Sequence, residues 1–69
     1  MIRNDEELQA MWKRMSWFQG QLALLRQQES NPANYHASAS GFLSEIERMQ
    51  IEVREYLSVH PREIEASAL

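Results

Sequence analysis

Glu45, Glu47, Glu52 and Glu55 are the side chains best suited to chemistry, since clustered carboxylates can serve as general acids or bases. They come without a complementary histidine, a glycine loop or a pocket-forming element. Arg48 stands three residues after Glu45 and four before Glu52, so a solvated ion-pair face accounts for them better. His36 and His60 are the only histidines, and neither forms an i, i+4 pair with another strong ligand. The Glu-x-x-His pattern of di-iron bundles is absent. Ser16, Ser38, Ser40 and Ser44 have no triad context, and with no cysteine there is no thiolate for zinc or for a disulfide. The expectation is a non-enzymatic chain with no catalytic residue, no cofactor and no metal.

The elements that carry these residues are legible in two apolar stripes. Leu8, Met11, Met15, Phe18, Leu22 and Leu25 keep an unbroken alternation of three and four. Phe42, Ile46, Met49, Val53, Tyr56 and His60 keep the same alternation after an Asn31-Pro32 break. This spacing predicts two helices that pack side by side. The hairpin core is expected from the first stripe together with Phe42, Ile46, Met49, Val53 and Tyr56. His60 closes the second stripe in the last helical turn, where an imidazole can meet terminal carbonyls.

The first helix is predicted over about 4–29. Asn4 as N-cap places Glu7 three residues later, the capping-box arrangement. Asp5, Glu6 and Glu7 set negative charge at the positive end of the helix dipole. Gly20 inside this helix marks either a close approach by another helix or a tolerated glycine. The turn is placed at about 30–31. Asn31 is then the N-cap of a second helix over about 32–59, with Pro32 at its first position, where the missing amide costs nothing. Ser40-Gly41 is its weak point, yet Tyr35 and Ala39 extend the seam backwards across it. Pro61 is expected to end it, leaving 60–69 as a short tail.

Both helices carry more apolar surface than a hairpin needs. Ala10, Trp17 and Leu24 repeat every seven residues, well over 90° from the main seam. Leu43 and Leu57 widen the second seam on one flank, Ile51 points nearly opposite it, and Trp12 adds another large ring. Small soluble domains seldom leave such groups in water, so Trp12, Trp17, Leu24 and Ile51 are the expected outer interface, with Trp17 and Leu24 foremost. Met11, Met15 and Met49 lie on the seams, where methionine packs as ordinary core or repacks onto a partner.

A chain of 69 residues holds one domain at most, and one this small has a marginal core. Self-association is the remaining way to enlarge it, and a dimeric four-helix bundle is the natural completion. The net charge is −3, and Lys13, Arg14, Arg26, Arg48, Arg54 and Arg62 are scattered among acids. No basic stripe marks a nucleic-acid binder. No apolar run is long enough to span a membrane, and the acidic start lacks a signal-peptide core, so the expected location is cytoplasmic.

The run Ala39-Ser40-Gly41-Phe42-Leu43-Ser44-Glu45-Ile46-Glu47-Arg48-Met49-Gln50, followed by Glu52-Val53 and Glu55-Tyr56-Leu57, resembles small bacterial helical proteins of antitoxin-like character. The opening Ile2-Arg3-Asn4-Asp5-Glu6-Glu7-Leu8 is similar to the start of the same group. It also resembles the helical piece ahead of the DNA-binding domain in HigA-type antitoxins. The resemblance covers about two-thirds of the chain and its motifs are simple helical ones. It implies a helical hairpin that neutralises a basic toxin of the RelE type by binding it. The chain lacks the helix-turn-helix or ribbon-helix-helix segment of the usual antitoxin, and no catalytic or ligand residue carries over. The fold expected is thus an all-α antiparallel two-helix hairpin pairing into a four-helix bundle. Its expected work is protein–protein interaction, either with a toxin or in self-assembly alone.

Overall fold

Asn4 starts the first helix as its residue type dictates. Its backbone is extended, and its side chain accepts a hydrogen bond of 2.9 Å from the Glu7 amide. In the computed structural model, which describes residues 1–63, this cap opens α1, Asp5–Gln28. The reciprocal half of the capping box does not form. Glu7 turns instead to Arg3, accepting from its backbone amide and from its guanidinium, each at 2.9 Å. A charge-assisted bond outcompetes the neutral amide of Asn4.

Three residues connect α1 to α2, Pro32–Leu57. The Glu29 amide donates back to the Leu25 carbonyl, and the Glu29 carboxylate accepts from the Asn31 amide. Asn31 then caps α2 by accepting from Ala33, with Pro32 at the first position. α2 runs unbroken through Ser40-Gly41. The Ser40 hydroxyl donates to the Ala37 carbonyl, which satisfies it within the helix. Ala39 beside it is buried, so packing overrides the weak local propensity.

The second stripe ends earlier than its spacing suggests. α2 stops at Leu57, and Ser58 closes it with its amide and hydroxyl bonded back to Arg54 and Glu55. His60 is therefore exposed and outside the helix rather than on the seam. The cause is Pro61. Residues 61–63 turn helical again, and His60 caps them: its Nδ1 accepts from the Arg62 amide and its carbonyl from the Glu63 amide. Proline begins a new turn here as well as ending the old one. The rest of the expected tail, 64–69, lies outside the described residues.

The two helices pack antiparallel. The Tyr56 hydroxyl donates to Asp5 at 2.6 Å, joining the end of α2 to the start of α1. Nearer the turn, Phe18 and Phe42 meet edge to face with centroids 5.9 Å apart. The register set by these pairs brings Met11 and Met15 level with Met49 and Ile46. Leu8, Ile46 and Met49 are buried, while Met11, Met15, Phe18, Leu22, Leu25, Phe42, Val53 and Tyr56 are half-buried. Ile2 is also buried, as the segment before α1 folds back and its ammonium group meets the Glu52 carboxylate at 3.0 Å. The described residues contain helices and no strand.

The hairpin is a single layer. Its radius of gyration is 16.2 Å and its extents are 56 × 17 × 12 Å. A globular domain of this length has a radius near 11 Å. Most side chains on the seam therefore touch the facing helix on one side and stay partly open to solvent, Leu8, Ile46 and Met49 being the buried ones.

Candidate interaction surface

Helix geometry decides which exposed groups can act together. Seen along α1 from its start, successive side chains turn clockwise by about 100°. α2 runs the other way, so in the same view its side chains turn counterclockwise. Residues displaced in the same sense from their own seams therefore share a face of the hairpin.

Trp12 stands about 90° from the α1 seam in the positive sense, and Leu43 and Leu57 stand about 90° and 50° from the α2 seam in that sense. These three share one face, each roughly half exposed. Gln19 and Gln50 lie between them. From Leu8 to Ala23 and from Ala39 to Val53, no charged side chain comes within about 90° of either seam on this side.

The other face is built from charge. Glu7, Arg14, Glu45 and Glu52 are displaced about 50–90° in the opposite sense. Arg48 bridges Glu45 at 2.8 Å and stands 3.5 Å from Glu52. Glu52 Oε1 takes the ammonium of Met1, whereas its Oε2 is sequestered with no hydrogen bond. Met1 and Ile2 line a shallow groove with Glu7, Ala10, Met11 and Arg14, so the leading segment covers part of this face.

The four residues expected to form one outer contact are not brought together. Trp12 belongs to the uncharged face. Trp17 and Leu24 lie about 130–150° from their seam in the opposite sense, on the outer edge of α1. Trp17 rests edge-on against Phe18 at 5.1 Å. Ile51 points almost directly away from its seam, on the outer edge of α2. Leu43 and Leu57, visible in the sequence only as flanking residues, are the ones that join Trp12. Gly20 falls between Trp17 and Leu24 on that outer edge, and a Cβ built there meets nothing within 4 Å. No helix among the described residues approaches it.

The ionisable groups act as fasteners. The hydrogen bond from the Met1 ammonium holds the Glu52 carboxyl below the usual carboxylate range, with Arg48 and Arg14 adding to it. The Arg3 guanidinium and amide do the same for Glu7. Asp5 pushes the Tyr56 phenol up. Carboxyls with lowered values stabilise the fold above the ordinary pKa of 4.5, and that contribution disappears as pH falls through the lowered values. The raised phenol contributes below its ordinary 10.0, and its share disappears as pH rises through the higher value. The urea midpoint is accordingly expected to fall as pH drops below about 4.5 and again as pH rises above about 10. A Glu7→Gln, Glu52→Gln double variant should lose the part of the acid-side decline that these carboxyls supply. An unchanged acid limb would show that they are not fastened in solution.

The histidines stand about 30 Å or more apart near opposite ends of α2, and no group of three potential metal ligands occurs among the described residues. No helix among those residues is long and apolar enough to cross a membrane. Comparison of the chain with family models, with curated proteins and with solved structures finds no match.

Proposed function

We propose that this chain is a non-enzymatic helical interaction module that completes its core by pairing with a second copy into a four-helix bundle. The observation carrying this reading is the one-layer form, with its radius of gyration of 16.2 Å where a globular chain would have about 11 Å. A helix pair exposing Trp12, Leu43 and Leu57 has the architecture of half a bundle. Closing the second layer would enclose the half-buried seam residues and supply the hydrophobic stabilisation that a lone hairpin lacks, about 25 cal/mol per Å² of apolar surface.

Light scattering over a dilution series tests it. At micromolar concentration the mass should be twice the 8.1 kDa of one chain, falling toward one chain only on strong dilution. A single-chain mass throughout would overturn self-association. A second reading follows from the antitoxin-like resemblance: the module binds and blocks a basic toxin of the RelE type. Its net charge of −3 favours such a partner by long-range attraction. In that case a monomer should form a salt-sensitive complex with the toxin.

A further inference from the structure

Resting on the self-association reading, we infer that the second copy docks on the face carrying Trp12, Leu43 and Leu57, leaving Trp17, Leu24 and Ile51 outside the contact. Two quantities favour a copy of this chain as occupant. The chain exposes 5741 Å², whereas a folded monomer of 8.1 kDa typically exposes about 4,500 Å². The excess per chain, counted over a pair, falls within the range of obligate homodimer interfaces, upward of about 2,000 Å².

Charge selects the face. A two-fold contact sets the same surface on both partners. Pairing through the charged face would take the Arg48 guanidinium and the Glu45 carboxylate out of water beside a Glu52 oxygen that is already sequestered without a hydrogen bond, and desolvating ion pairs is costly. It would also have to displace the leading segment around Ile2. Pairing through the opposite face buries Trp12 and Leu43 and, over the central stretch, leaves Gln19 and Gln50 to find partners, with Arg26 on the same side at the end nearer the turn. That face offers a basic protein no carboxylate in its central stretch, which leaves an apolar copy as the better fit.

Two lysine variants separate the faces, because Leu43 and Leu24 are each about half exposed in the hairpin, at 51% and 45%. Helicity by circular dichroism should stay near wild type in both. Leu43→Lys should raise the dimer dissociation constant on the order of 100-fold or more, since the two-fold axis buries two lysines per dimer. Leu24→Lys should leave it within a few-fold. Dissociation by Leu24→Lys with Leu43→Lys still dimeric would overturn the assignment, as would a dimer indifferent to both. A wild-type chain monomeric at all concentrations would instead remove the underlying self-association. Single-tryptophan emission gives an answer that needs no charged variant. In Trp17→Phe, the remaining Trp12 should shift to the blue as concentration rises through the dissociation constant. In Trp12→Phe, the remaining Trp17 should not move, and the reverse pattern refutes the inference.

Discussion

Met49→Ala will destabilise the protein by about 2–5 kcal/mol. Met49 is the one large side chain among the described residues that is fully buried, at 0% exposure. It lies at the middle of the seam, level with Met11 and one turn from Ile46 and Val53. Truncation removes the transfer free energy of the lost atoms and leaves a cavity that two tethered helices can only partly close. A core this small has a few kcal/mol in hand, so the variant should be largely unfolded at room temperature. Met49→Leu, with similar volume, should lose less than about 1.5 kcal/mol. Urea titrations at one fixed protein concentration measure both, since association shifts apparent stability by mass action. A loss below 1 kcal/mol for the alanine variant would show that Met49 is not enclosed in solution.

The seam was readable because alternation of three and four residues has a single physical source, one face of an α-helix. Leu8, Ile46 and Met49 sit where that period puts them. Other features had no periodic signal. Ile2 precedes the cap, and only its apolar character just ahead of Asn4 hints at folding back, as in a hydrophobic staple shifted by one place. His60 satisfies the numerical period, yet the helix it was counted on ends at Leu57; Pro61 opens a new turn and makes His60 its cap. The outer surface was harder still. Each helix alone tells how far Trp12, Trp17 or Leu43 stands from its seam, but sharing a face depends on the relative sense of the two helices. The short connection at Glu29–Asn31 makes them antiparallel, and that sense joins Trp12 to Leu43 while sending Trp17 and Leu24 to another edge. Apolar character and distance from the seam group Trp12, Trp17, Leu24 and Ile51, whereas the relative sense of the two helices separates them.

Ala39→Leu will destabilise by about 1–3 kcal/mol through overpacking. Leucine is close to alanine in helix propensity, so a loss reports tertiary packing rather than helix formation. Ala39 is 1% exposed on α2 and lies near the level of Leu22 in the register set by the Phe18–Phe42 pair. Only three residues join the helices on this side, and both caps at the connection are hydrogen-bonded. The helices therefore cannot splay freely to admit a larger side chain, whereas the open end, held by Tyr56 and Asp5, has more freedom. Ala37→Leu is the matched control: it lies two residues away, is exposed, and should change stability by no more than about 0.5 kcal/mol. A clear gap between the two urea midpoints would establish that the small side chain at position 39 sets the separation of the helices. Equal midpoints would mean that the end near the turn opens without resistance, and that the hairpin is held together by its middle alone.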